Sequence, residues 1–333
     1  MSSTSAHVCV PTFRRSRSGD LTTGWWSTPR CSGSWDVWSP GRAGRHSSGL
    51  IAIAVGMALV AAAFHGTWNI LVKVSGDPIT TFRRATVMAA IVATLALVPA
   101  WWLFGRPSIQ PTGILYCLVS GVLETAYLWL LSAAYRRGEL SAVYPIARGS
   151  APLLSVTVGL VVLGERLATP QLIGVGLLLV GIMAVAVSQA SGRATFPALL
   201  TGVAIAAYTS VDRVGVRLAT PWFYAWLLFM LMAIGLLLSV WAASALGAYR
   251  PPSTAPPPTW RQSAVIGFFF WAGYFLVLWA LSLAPLAVVA PVRELAIVAV
   301  AVWGVWRLRE GGRAALKLSG AAATLAGVAL LAI

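Results

Sequence analysis

Glu124 lies near the middle of a long apolar run, and Tyr127, three residues on, shares its helical face. A charge within hydrocarbon costs at least about 2.5–3.5 kcal/mol on insertion scales, so such a group has a partner or a purpose. A carboxyl there can exchange a proton between two sides of a membrane, or it can stand in a fixed ion pair with Arg148 or another base. Arg148 sits about seven residues into a later run, roughly 10 Å deep at 1.5 Å per residue, with Tyr144 one turn before it. Its guanidinium suits a substrate carboxylate or phosphate. Arg293, beside Glu294, stands at similar depth in another run. The two arginines either flank a central cavity or serve only to neutralise Glu124 and Glu294.

A second group comprises Trp68, Asn69, Tyr208, Asp212 and Tyr274. The rings could stack on a substrate, and Asn69 and Asp212 could bond to its polar groups; for Trp68 the competing role is interfacial anchoring. Asp212 and Arg213 are adjacent and cannot point the same way on a helix, so at least one faces a neighbouring segment or the cavity. His65, a lone histidine on an apolar helix, is expected to pack rather than to relay protons. Pro145 and Pro291 free backbone carbonyls inside their runs, which is tolerated where the backbone lines a cavity or packs on another helix.

These residues need elements to hold them, and the composition says which. Of 333 residues, 58% are apolar and only 10% charged, too little charge to coat a water-soluble globule. From about Leu50 onward the chain is a series of roughly 20-residue apolar runs, each able to cross a core of about 30 Å. They fall at 50–72, 80–103, 112–134, 141–163, 170–189, 194–216, 221–246, 262–283, 286–307 and 312–332. The fold class expected is an all-α integral membrane protein with ten transmembrane helices. The net charge of +15 does not mark a nucleic-acid binder, because the arginines sit singly or in pairs between apolar runs. Cys9, Cys31 and Cys117 form no metal-binding pattern, and there is no P-loop, so neither a cofactor nor ATP coupling is expected.

Residues 1–48 carry six arginines and four tryptophans among many Ser, Gly and Pro, without apolar periodicity. They read as a disordered tail or as a segment upstream of a true start near Leu50 to Met57.

The runs repeat. Ala62-Ala63-Phe64 through Lys73 aligns without gaps on Ala206-Ala207-Tyr208 through Arg217; Tyr127 falls on Tyr274 and Pro145 near Pro291. Arg148 and Glu165 recur as Arg293 and Glu310 at equal spacing, as do Gly174 and Gly181 in Gly320 and Gly327. The organisation expected is one five-helix repeat over residues 49–190 and another over 191–333. An odd number of spans per copy inserts the copies upside down to each other, a 5+5 inverted repeat whose binding site lies near the midplane. The glycine rows allow close helix approach.

Trp68-Asn69, Leu140-Ser141, Tyr144-Pro145, Arg148-Gly149-Ser150 and Leu163-Gly164-Glu165-Arg166, followed by Gln171 and Gly174, resemble the EamA-like branch of the drug/metabolite transporter superfamily. The resemblance covers about residues 50–333, although the second copy reads Leu308-Arg309-Glu310-Gly311, with arginine in place of glycine. It implies a secondary transporter in the cell (inner) membrane, exporting a small polar or amphipathic metabolite, amino-acid-like or drug-like, and the carboxyl at Glu124 adds proton coupling. Its partners would be a small-molecule substrate and membrane lipid, with no nucleic acid. Sugar-phosphate or nucleotide-sugar exchange is the nearest rival, and a non-transporting membrane sensor or assembly protein is the rival of another class. An intramembrane serine protease is disfavoured because no Gly-x-Ser-x-Gly surrounds Ser150. Counting Lys and Arg at the span ends leaves the orientation open.

Overall fold

The computed structural model describes residues 44–137, 140–189, 195–250, 257–296 and 314–331. Met1–Ser47 form a unit by themselves, of which only the beginning of the first helix is described. Ser48–Ile333 form the other unit, to which everything below applies. The expected disordered tail and the Leu308 to Gly311 motif therefore lie outside the described residues.

Ten α-helices are described: α1 (Gly44–Val74), α2 (Pro78–Phe104), α3 (Pro111–Arg137), α4 (Leu140–Thr157), α5 (Thr169–Gln189), α6 (Thr195–Gly215), α7 (Pro221–Ala245), α8 (Trp260–Leu283), α9 (Leu286–Arg293) and α10 (Ala314–Leu331). The only extended pairing among the described residues is an isolated bridge between Ile109 and Ala219. Local chemistry sets several boundaries. Asp77 caps α2 by accepting from the Thr80 amide at 3.0 Å, with Pro78 as the first helical residue, where no N–H is needed. Thr259 and Gln262 form a reciprocal capping box at the start of α8.

The helices are apolar nearly all round, as lipid-embedded helices are. Leu95, Val122 and Trp241 point outward. Among the described residues, six segments are long and apolar enough to cross a membrane: Gly49–Val74, Pro78–Phe104, Pro111–Arg137, Thr195–Leu218, Pro221–Ala245 and Trp260–Leu283. The chain is thus an all-helical multi-pass membrane protein.

The other expected spans depart from simple helices, for identifiable reasons. Span four, expected over 141–163, runs as α4 and then widens into a π-helical turn at Val158–Val162. Span nine, expected to continue to 307, is interrupted after the eight residues of α9 by a turn at Glu294 and Leu295, is helical again at Ala296, and lies outside the described residues from 297 on. Pro291 has no N–H for the Ala287 carbonyl and crowds it, and the Glu294 amide turns back to the Pro291 carbonyl at 3.1 Å.

Helices α3 and α4 pack on α6, α2 packs on α7 and α8, α4 packs on α9, and α5 packs on α10. The α5–α10 contact is reciprocal. A Cβ on Gly174 would lie 2.9 Å from the Gly327 carbonyl, and one on Gly181 would lie 2.4 Å from the Gly320 carbonyl. The backbones touch, and only glycine permits it.

Candidate functional site

Five charged side chains meet inside the bundle: Glu124 from α3, Arg148 from α4, Asp212 from α6, and Arg293 and Glu294 at the end of α9. None is more than 2% exposed. Glu294 is the hub. Its carboxylate accepts from Arg148 at 3.2 and 3.3 Å and from the Arg293 Nε at 2.9 Å. Arg148 also donates to the Tyr127 hydroxyl at 3.3 Å, and Arg293 to the Thr209 hydroxyl at 3.2 Å. Both arginines bond Glu294, one of the two carboxylates they were expected to neutralise. The break after α9 explains this, since it places Glu294 at a helix end with its side chain turned toward both cations.

Asp212 is satisfied differently. Tyr224 from α7 donates to one carboxylate oxygen at 2.8 Å, and Tyr274 from α8 donates to the other. Gly215 makes the first bond possible, since a Cβ there would lie 2.5 Å from the Tyr224 hydroxyl oxygen. Asp212 and Arg213 diverge as their adjacency requires, with Arg213 reaching Glu165 at 2.9 Å.

Glu124 is the exception. It is 1% exposed, and its Oε1 has no hydrogen-bond partner. Ser120, one turn earlier on the same face of α3, is also buried with an unpartnered hydroxyl. A buried acceptor without a partner costs about 1–3 kcal/mol, more if charged, so this group calls for a function or a ligand.

Aromatic side chains wall the cluster. Tyr208 lies between Tyr127 and Tyr274, edge to face with each at centroid distances of 5.4 and 5.7 Å. Trp68 is buried rather than anchored at an interface; the Arg148 guanidinium lies 5.9 Å from its ring centroid, and Phe270 packs against it at 5.0 Å. Asn69 and His65 are bonded within the bundle. Asn69 donates to the His65 carbonyl at 2.7 Å and accepts from Tyr135 at 2.8 Å. His65 is buried, with Nδ1 2.8 Å from the Ala61 carbonyl. Tyr144 falls within α4, but its side chain lies outside the described residues.

Sequence reasoning missed Thr209, Ser120, Tyr224 and the role of Glu165. Thr209 and Ser120 had a legible signal, being polar residues beside or one turn from Tyr208 and Glu124. Tyr224 had none, because nothing in α7 indicates that it faces Asp212.

Polar contacts also tie the ends of the bundle. At one end Asp77 accepts from Arg136 at 2.7 Å and from Tyr249 at 2.6 Å. Burial opposes ionisation of Asp77, but the Tyr249 and Thr80 hydrogen bonds and the Arg136 charge outweigh it and hold its carboxyl below the usual range. Burial, reinforced by Asp77, pushes the Tyr249 hydroxyl up. At the other end the α2–α3 and α6–α7 connections pair, with the Thr220 amide donating to the Ser108 carbonyl at 2.8 Å.

Comparison with known proteins agrees with this architecture. An uncharacterized protein of Methanocaldococcus jannaschii is 26% identical over 139 residues, which cover 41% of this chain and 98% of that protein. A crystal structure superposes with a TM-score of 0.61 at 15% identity, covering 83% of this chain and 95% of that one, a likeness of fold alone. Residues 52–187 match the EamA-like transporter family. That match is consistent with the drug/metabolite transporter superfamily.

Proposed function

We propose that the protein is a secondary active transporter of the cell (inner) membrane, which exports a small polar or amphipathic metabolite, amino-acid-like or drug-like, in exchange for protons taken up at Glu124. In this reading residues 49–190 and 191–333 are the two five-helix copies, ten spans in all, inverted with respect to each other. Three observations support it. The charged cluster is assembled from α3 and α4 of one copy and α6, α8 and α9 of the other. The α5–α10 glycines touch reciprocally. The archaeal relative, 98% of it spanned by 139 residues, has about the length of one copy.

The observation that carries the mechanism is the free Oε1 of Glu124. The five charged groups comprise three carboxylates and two guanidiniums. With all of them ionised the cluster has one negative charge in excess, and one proton on Glu124 balances it. Glu294 and Asp212 have both oxygens occupied, whereas Glu124 keeps Oε1 open, so Glu124 is the carboxyl that takes and releases a proton there. Alternation between the two sides then couples proton entry to substrate exit. The same geometry weighs against an organic-phosphate exchanger, since both guanidiniums are already bridged by Glu294.

The test is flux in reconstituted vesicles, with a panel of metabolites as probes and internal pH as the readout. Substrate addition moves protons with the wild-type protein and does not with Glu124→Gln. Normal coupled flux in that variant removes Glu124 from the mechanism, and no flux for any probe favours the sensor or assembly protein.

A further inference from the structure

We propose that Glu165 is the latch that closes one face of the bundle over the Arg148, Glu294 and Arg293 cluster, by pinning the first turn of α9 to the end of α4. The proposal rests on the transporter reading above and adds the closing residue to it.

Local sequence builds the latch. After α4 the chain widens into the π-helical turn, and the Leu163 amide donates to the Val158 carbonyl at 2.9 Å. Gly164 then adopts φ +63°, a left-handed conformation that glycine takes without strain, and this turns the chain back on itself. The Glu165 amide donates to the Gly159 carbonyl at 2.9 Å, which aims the side chain inward. Gly159 completes the seat, because a Cβ there would lie 2.6 Å from Glu165 Oε2 and 3.3 Å from the Ala287 amide nitrogen.

What Glu165 holds is the start of α9. That helix begins after Pro285, which supplies no side-chain cap, so its first amides need an outside acceptor. Glu165 provides it from 121 positions away: Oε1 accepts from the Leu286 amide at 2.8 Å and Oε2 from the Ala287 amide at 3.0 Å. The helix dipole favours an anion at that point. Arg213 from α6 donates to the same Oε1 at 2.9 Å and to the Leu281 carbonyl at the end of α8 at 2.5 Å. A single carboxylate thus joins the end of α4 to α6 and α9, and through Arg213 to α8.

The consequence for the cluster comes from the shortness of α9. Its eight residues span about 12 Å, and its far end carries Arg293, with Glu294 next in the chain. The α4 segment therefore grips α9 twice, through Arg148 at Glu294 and through Glu165 at Leu286. The Asp77, Arg136 and Tyr249 tie at the opposite end holds α3, which carries Glu124, but neither α4 nor α9. Release of Glu165 frees α9 at one end while Arg148 holds the other, so that face opens and Arg293 and Glu294 shift with it.

The experiment uses the full chain with Cys9, Cys31 and Cys117 replaced by serine and one reporter cysteine, either Ala287→Cys beside the latch or Ile79→Cys at the opposite end, both at sites buried in this structure. A water-soluble thiol reagent is added to the protein in vesicles. Glu165→Gln removes the charge, and Gly159→Ala leaves the charge but fills its seat. Both variants should raise labelling at Ala287→Cys at least tenfold and leave Ile79→Cys at the parent rate. Glu165→Asp, which keeps the charge on a shorter arm, should lie between. Unchanged labelling at Ala287→Cys in either folded variant overturns the latch, and so does an equal rise at both reporters, which would mean general loosening. Should one variant fail to fold, the other decides. Labelling is read without substrate, so its failure is separate from a failure to observe flux.

Discussion

Arg148 and Glu294, 146 positions apart in the chain, meet at 3.2 Å with both side chains all but sealed from solvent. Glu294 bridges Arg148 to Arg293, so two cations share one anion, and Tyr127 and Thr209 take further guanidinium protons. A buried charge is tolerated only when paired and hydrogen-bonded in this way, and the network joins α3, α4, α6 and α9.

Removing the shared anion should be costly. Glu294→Gln takes from two buried guanidiniums the carboxylate they share, and loss of a partner from a buried pair costs about 3–5 kcal/mol. Thr209→Val removes one hydrogen bond and should cost about 1 kcal/mol. Thermal melts of the purified variants in detergent should rank them in that order, and equal melting temperatures would contradict the hub role of Glu294.

The other two carboxylates should respond oppositely. Asp212→Asn puts an amide donor opposite a tyrosine hydroxyl that now donates, so it should lose about 1–3 kcal/mol. Glu124→Gln disturbs no bond at Oε1 and should melt closer to the parent while losing proton coupling. A melting temperature for Glu124→Gln below that of Asp212→Asn would mean that Glu124 is a structural partner.

The close approach of α5 and α10 can be probed with one methyl group. Gly181→Ala places a Cβ 2.4 Å from the Gly320 carbonyl and should cost about 1–3 kcal/mol through overpacking, whereas Gly176→Ala meets nothing within 4 Å. Detergent melts of the two variants give the comparison; equal melting temperatures would mean that the helices are not in backbone contact.

Asp77 predicts a pH dependence of known sign. Its carboxyl is held below the ordinary aspartate value near 3.8, so its contribution to stability is complete above that value. The contribution falls away as the pH drops through the lower folded value, where the proton displaces Arg136 and Tyr249. Melting temperature measured from pH 6 downward should decline below about pH 4, and Asp77→Asn should remove that part of the decline. An unchanged decline in the variant would assign it to other groups.

The presence of membrane helices, most of their boundaries and the identity of the charged residues follow from the sequence, because long apolar runs cannot be solvated in water and a charge inside one is conspicuous. The Leu163-Gly164-Glu165 motif was visible too, although its task was not. Which charge meets which was decided by tertiary structure. For Glu124 the sequence allowed either proton exchange or a pair with Arg148 or another base; in the bundle Glu294, at the turn after α9, bonds both arginines, and Tyr224 and Tyr274 take up Asp212. Helical periodicity tells which residues share a face of one helix. It says nothing about which face of another helix lies opposite, and in lipid that choice is made by backbone breaks, glycine contacts and the pairing of buried charge, all of which depend on the assembled bundle.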